Sequence, residues 1–387
     1  MDYVLITSND DLAEVCARAQ RHQAVALDTE FVRTRTLTPH LGLIQLFDGH
    51  QLVLIDPLAI TEFEPFIHLL ENPYVTKVLH SCSEDLETFL SFFGVIPSPV
   101  FDTQIAASIL GLGPTLGYAK LVEELCGESL DKGESRTDWL ARPLSASQLV
   151  YAANDVLYLL PAYQQLNNMI IDRGKRQWVL DEVELLAEKK RAVMPLEYAY
   201  IGIKNNWRLS AQQLYVLKGL AAWRLARARE KDLALNFVFK ENHLFDVAQR
   251  LPTSRSALNR VQGISPPTMR RYAEVVVNIV SDALDEFDAM PESQHPAVVK
   301  RLIDVPEYKK TLAALKDVTS QVAVENGVTP DVLASKKQLN QLLKWWWFDL
   351  CETRAQGLQP DLLTGWRAPL FKSGIHRVLG EYPQISS

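Results

Sequence analysis

Two carboxylates, Asp28 and Glu30, lie two residues apart in the run AVALDTEF (24–31). The run is nearly continuous in apolar residues, as a strand buried on both faces is. Side chains alternate along a strand, so both acids point to the same side. Two carboxylates on one face of a buried strand are costly unless a cation neutralises them. A polar strand end opening to solvent is the alternative without chemistry. Tyr151 and Asp155 stand four apart in a stretch of helical periodicity (145–166) and so share a helix face. Asp85 falls in the first turn of a helix over SEDLETFLSFFG (83–94), where the helix dipole alone favours an acid. Each residue has an ordinary structural use. Together they form a pattern: Asp-x-Glu on a first strand, Asp after a fourth strand, and Tyr-x-x-x-Asp on a late helix.

The elements that must position these groups follow from pattern and punctuation. A helix is expected over 9–21 with Asn9 or Asp10 as its cap. After the strand at 24–31, further strands read at 41–47, 51–56 and 75–80. Asp48-Gly49-His50 suits a hairpin between the second and third. Ser83 is the expected cap of the 83–94 helix and Gly94 its stop. Asp102 is expected to cap a helix over 102–110, with another near 115–126. His80 and Asp102 read as structural. The segment 131–145 is polar, contains Pro143, and is too long for a simple turn. It is either a functional loop or a cover over the sheet. This order predicts an α/β domain.

From about 172 onward strand signals vanish. Residues 178–192 read as a linking helix, and 207–285 and 298–378 as all-helical. The two regions look like weak repeats, sharing Ser-basic-x-x-Leu-Asn at 254–259 and 335–340. Copies of roughly 80 residues are duplicated domains rather than solenoid units. The boundary between them is expected in 286–296.

The chain of 387 residues has the composition of a globular protein, with 47 % hydrophobic and 22 % charged residues. No apolar run approaches the roughly 20 residues that span a bilayer, and the N-terminus has no leader pattern. Both point to the cytoplasm. Cys16, Cys82, Cys126 and Cys351 have no metal or redox spacing and read as reduced thiols. The net charge of −7 argues against a polyanionic partner, but its distribution is uneven. Residues 1–170 hold 22 acidic and 9 basic residues, whereas 205–283 hold 6 acidic and 12 basic. An acidic first part suits cations and a basic helical part suits a polyanion.

The tracts LDTEF (27–31), HSCSEDLETF (80–89) and YAANDVLYLL (151–160) resemble the three motifs of the four-carboxylate exonucleases, in the tyrosine subclass. With LGLIQLFDG (41–49) and LDKGESRTDWLARPLS (130–145), the resemblance extends to the bacterial ribonuclease D family and covers nearly the whole chain. No catalytic position departs from the pattern, while the second helical copy, with Trp345, Trp346 and Trp347, is the less typical one. The resemblance implies a ribonuclease-H-like α/β exonuclease domain with a mixed sheet over 1–170. A linker helix region (171–206) and two all-α helical-bundle domains (207–290 and 295–380) would follow. Both bundles resemble helicase-and-ribonuclease-D C-terminal (HRDC) domains. The implied activity is 3′→5′ hydrolysis of RNA with two divalent cations, magnesium or manganese. Asp28 would bridge the cations, Glu30 and Asp155 would complete the first site, Asp85 would serve the second, and Tyr151 would orient the attacking water. Precursor tRNA and other small structured RNAs are the implied substrates, and a monomer is implied.

Arg33, Arg35 and Gln45 follow the first motif closely and are expected to contact substrate phosphate or sugar. Arg136 and Trp139 in the polar loop are expected to contact substrate by charge and stacking, with loop anchoring as the alternative for Trp139. Arg224 and Arg227 belong to a basic cluster with Arg229 and Lys231, expected to hold the polyanion or to form a solvated helix face. A DNA exonuclease of the same superfamily would carry the same carboxylates. A non-catalytic binding protein on the same fold would have lost at least one of them.

Overall fold

A computed structural model describes residues 2–130, 137–381 and 383. The first part contains β1 (Val4–Ile6), α1 (Asn9–Ala19), β2 (Ala24–Val32), β3 (His40–Phe47), β4 (Leu52–Ile55), α2 (Glu64–Glu71), β5 (Thr76–Leu79), α3 (Ser83–Phe93) and β6 (Val100–Asp102). Helices α4 (Thr103–Leu110), α5 (Tyr118–Cys126), α6 (Ala146–Leu157), α7 (Leu159–Asp172) and α8 (Arg176–Arg191) complete it. The six strands form one sheet in the order β1-β4-β3-β2-β5-β6. β2, β3 and β4 form the antiparallel meander, while β1, β5 and β6 pair in parallel. The sheet is therefore mixed, as expected, with β2 at its centre.

Both faces of the sheet are covered. On one, Val25, Leu27, Ile44, Leu46, Val53 and Ile55 pack against α1, α2 and α3. On the other, Ala26, Leu43, Leu52, Leu54 and Val78 pack against Ala152, Ala153 and Val156 of α6. Two short strands, β1 and β6, and helix α2 were not legible as separate elements. The helical stretch expected over 145–166 is two helices that meet at Tyr158. Caps also differ from expectation. Ser8 caps α1, accepting from Asp11 N, and Cys82 rather than Ser83 stands at the N-cap of α3.

The helical part runs through α9 (Ala211–Lys231), α10 (Leu235–Val238), α11 (Glu241–Arg250), α12 (Arg255–Leu258), α13 (Pro266–Ala289), α14 (Tyr308–Asn326), α15 (Pro330–Leu333), α16 (Lys336–Trp347), α17 (Glu352–Ala355) and α18 (Arg367–Leu379). The repeated Ser-basic-x-x-Leu-Asn has a structural basis. Ser254 and Ser335 are N-caps of α12 and α16, accepting from Ala257 N and Gln338 N. The following leucines, Leu258 and Leu339, are buried.

The two bundles attach differently. The first has its own core, built on Leu217, Leu220, Leu244, Val276 and Val280. The second shares a continuous core with the sheet domain, in which Phe101, Ile109 and Leu166 meet Leu315, Leu342, Trp366 and Phe371. Trp178 stacks on Trp366 with centroids 4.3 Å apart. Glu182 accepts from Trp366 Nε1 at 3.0 Å and pairs with the buried Arg367, and Lys189 Nζ lies 2.7 Å from Asp361. Trp345 is buried, and Trp346 and Trp347 pack against the same core.

The first bundle meets the sheet domain at the loop after β2. Asp232, at the C-cap of α9, accepts from Leu37 N, Thr38 N and Thr38 Oγ1, and contacts His40 Nε2 at 2.8 Å.

Candidate active site

Strand β2 delivers Asp28 and Glu30 to the face covered by α6, since they share its pleat with Ala26. Helix α6 delivers Tyr151 and Asp155 one turn apart. Its register is fixed by a capping box, in which Ser145 and Gln148 satisfy each other's backbone N–H. One carboxylate oxygen each of Asp28, Glu30 and Asp155 can be chosen so that all lie within 4.8 Å of one another. Asp85 enters from the first turn of α3. Its Oδ1 accepts from Thr29 N at 3.2 Å and Thr29 Oγ1 at 2.5 Å, which anchors it one residue from both Asp28 and Glu30.

Crowded, half-hidden acids hold protons that isolated ones would lose. Burial, then the charges of Asp85, Asp155 and Glu30, push Asp28 well above the usual carboxylate range. Glu30 is pushed up to about 9 by burial, then by Asp155 and Asp85. Burial raises Asp85 to about 7 against the hydrogen bonds from Thr29. Asp155 reaches about 7 through burial, opposed by a hydrogen bond from Tyr151. Tyr151 is itself raised, by burial and then by Asp155, Glu30 and Asp28. A group of oxygen donors that repel one another is what a hard divalent cation relieves. The donor set fits such an ion.

Supporting groups were not legible as such. Asp102 caps α4 through Gln104 N and Ile105 N, as expected, and also accepts from Ser81 N and Cys82 N. It thereby fixes the entry to α3 and the position of Asp85. Tyr118 donates to Asn154 O at 3.0 Å, and the charges of Asp155 and Asp28 raise its pKa after burial does. It is a second tyrosine beside the cluster.

The residues expected to contact substrate scatter. Gln45 is fully buried on β3, so it offers no surface to a phosphate. Trp139 is 1 % exposed; its ring lies 6.3 Å from that of Tyr151. A side chain on Gly42 would meet its carbonyl oxygen at 2.6 Å, so the strand admits Trp139 only because that residue is glycine. Arg142 fastens the same loop, donating Nε and Nη2 to Asp56 at 2.7 Å each and Nη2 to Gly42 O. Among the described residues, this loop is thus a cover that supports Tyr151, and Trp139 is its anchor rather than a stacking platform. Arg224 is 5 % exposed inside the first bundle, where it reaches Phe239 O. It is a core residue and not part of a basic surface. Arg33 pairs with Glu87 at 2.5 Å and Glu84 at 3.3 Å. Arg35 lies over Phe237 at 5.6 Å, and Arg227 pairs with Glu230 at 2.8 Å. These three arginines keep partial access to solvent. Arg136 lies outside the described residues.

Comparisons with known proteins place the chain in a family. A 3′-5′ exonuclease family model matches residues 3–171, an HRDC domain model matches 213–280, and a ribonuclease D C-terminal HRDC model matches 306–375. Ribonuclease D of Musicola paradisiaca is 46 % identical over 99 % of this chain and 100 % of its own. The chain belongs to the ribonuclease D family. The crystal structure of Escherichia coli RNase D, an exoribonuclease involved in structured RNA processing, superimposes with a TM-score of 0.92 at 44 % identity. That match covers 99 % of this chain and all of the other. The catalytic core of RRP6 from Trypanosoma brucei shares the fold at 24 % identity and a TM-score of 0.59, over 74 % of this chain and 80 % of its own. This member of the ribonuclease D family is a 3′→5′ exoribonuclease. No helix among the described residues is long and apolar enough to cross a membrane.

Proposed function

We propose that Asp28, Glu30, Asp85 and Asp155 hold two divalent cations, Mg²⁺ with Mn²⁺ as a substitute, and that this centre removes 5′-mononucleotides from the 3′ ends of precursor tRNA and other small structured RNAs. The observation that carries the reading is the convergence of Asp28, Glu30 and Asp155 within 4.8 Å, with Tyr151 beside them. When bound, such cations neutralise the phosphate and make water available as a nucleophile near neutral pH. The chain's own groups then position the reaction. Tyr151 keeps its proton, because burial and then the neighbouring carboxylates oppose ionisation, and its hydroxyl, which bonds Asp155 in the free protein, orients the incoming water by hydrogen bonding. Asp85 is held by Thr29 so that Oδ2 is left for the second cation or its water. Water joins phosphorus in line, and the 3′ oxygen of the shortened chain leaves with a proton.

Arg33 and Arg35, at the rim beyond β2, and Arg227 on the first bundle are the groups we assign to RNA phosphates. In this reading the exonuclease unit spans 1–170, a linker helix region 171–206, and the HRDC-like units 207–290 and 295–380. The protein acts as a monomer in the cytoplasm.

The test is incubation of a 3′-labelled and a 5′-labelled tRNA precursor with magnesium or with chelator. The expected result is metal-dependent release of labelled mononucleotide from the 3′ end only, with progressive shortening of the 5′-labelled strand. Label released equally well in chelator, or oligonucleotide products, would overturn it.

A further inference from the structure

Gln45 is fully buried, and neither its Nε2 nor its Oε1 has a hydrogen-bond partner. Buried amides left without partners are rare, and each asks for a physical reason. Its place in the sheet supplies one. Gln45 is the cross-strand partner of Asp28 and of Leu54. Directly opposed residues in an antiparallel pair share a face, with Cβ atoms about 5 Å apart. Gln45 therefore stands beside Asp28 under α6, on a face where Leu43, Leu54, Ala152 and Val156 also pack. A leucine or methionine would fill that place without an unpaired amide.

We infer that Gln45 is a positioning residue of the metal centre, whose Nε2–H donates to the neighbouring carboxylate of Asp28 when the centre is loaded. The chemistry of the pair supports this assignment. Asp28 sits in the cluster with Glu30 and Asp155 and precedes Thr29, which holds Asp85. To help hold cations, the Asp28 carboxylate would have to keep one orientation. A neutral amide is suited to fix it, since a cation such as lysine would compete with the metal. Ligand carboxylates are commonly oriented by such outer partners, and losing one typically costs 10–100-fold in metal affinity.

The inference rests on the carboxylate cluster being the metal site, and the test separates the two. Mn²⁺ is titrated calorimetrically into the full chain, and melting is followed in chelator and in Mn²⁺. Wild type, Gln45→Met, Asp28→Ala and the packing control Leu43→Met are compared. Gln45→Met keeps the length and loses the donor, so in chelator it should melt no lower than wild type. Its Mn²⁺ affinity should fall 10–100-fold, its metal-induced rise in melting temperature should shrink, and kcat should drop with KM little changed. Leu43→Met should keep wild-type affinity. Wild-type Mn²⁺ affinity in Gln45→Met would overturn the inference while leaving the metal site standing, as would an equal loss in Leu43→Met. Absence of Mn²⁺ binding in wild type, or its survival in Asp28→Ala, would overturn both.

Discussion

Thr29 Oγ1 lies 2.5 Å from Asp85 Oδ1, with Thr29 N at 3.2 Å from the same oxygen. A residue between the two strand carboxylates thus holds the third acid from the opposite side of the strand. The contact links β2 to α3 across 56 residues of sequence. Hydrogen bonds to a charged acceptor contribute about 1.5–3 kcal/mol.

Thr29→Val keeps shape and removes only the hydroxyl. Asp85 retains the backbone N–H, so the fold should persist. We expect kcat to fall roughly 10-fold, consistent with the loss of about 1.4 kcal/mol, and the Mg²⁺ concentration for half-maximal activity to rise. Titration of initial rate against Mg²⁺ checks this, and an unchanged activation curve would remove Thr29 from the site.

Asp155→Asn should abolish hydrolysis and, in chelator at pH 8, stabilise the fold. The substitution removes a charge that burial already holds at a pKa of about 7. Relief on the order of 1 kcal/mol is expected. Urea midpoints in chelator, with wild type alongside, are the measurement; a lower midpoint for the variant contradicts the electrostatic account.

The metal-free protein should lose stability as pH rises. Asp85 and Asp155 titrate at about 7 and Glu30 at about 9, against ordinary values near 4 in the unfolded chain. Raised folded-state values mean that the native state binds more protons than the unfolded one over that window. Their stabilisation is complete below about pH 4 and is lost progressively as pH rises through 7 and 9. Cations bind the ionised form, so Mg²⁺ should flatten the profile and its binding should release protons. Melting curves from pH 5 to 9, with chelator and with Mg²⁺, test both signs.

Tyr151→Phe should lose rate and keep cation affinity. Removing one preorganised hydrogen-bond donor typically costs about 10²–10³-fold. The ring packs beside Trp139, so its phenyl remnant keeps the cover in place. Single-turnover rates at saturating Mg²⁺ measure the loss, and an unchanged rate excludes the hydroxyl from the reaction.

The convergence of the carboxylates and the tyrosine was legible because period fixes direction. Asp28 and Glu30 at i, i+2 and Tyr151 and Asp155 at i, i+4 share faces by geometry alone. Long-range partners were not legible. Thr29 with Asp85, Asp102 with Ser81 and Cys82, and Tyr118 beside Asp155 join segments whose separation the local pattern does not encode. Residue type misled at Gln45 and Arg224, each read as reaching for RNA, and at Trp139 it left stacking and loop anchoring both open. Burial is decided by neighbours: α6 over Gln45, Gly42 beneath Trp139, and Phe239 against Arg224. The break at Tyr158 escaped notice because both helices continue one apolar pattern.

The shared core of the second bundle carries a consequence for dissecting this protein. Phe101, Ile109 and Leu166 come from before residue 170, and Leu315, Leu342 and Phe371 from after residue 300. They form one folding unit written in two instalments, with the first bundle inserted between them. A stop codon after the first bundle would strip the apolar cover from α4, α5 and α7 and leave a sticky remnant. Excising α9 to α13 and rejoining the ends would spare that seam, so a shortened protein that keeps this core would be discontinuous in the gene.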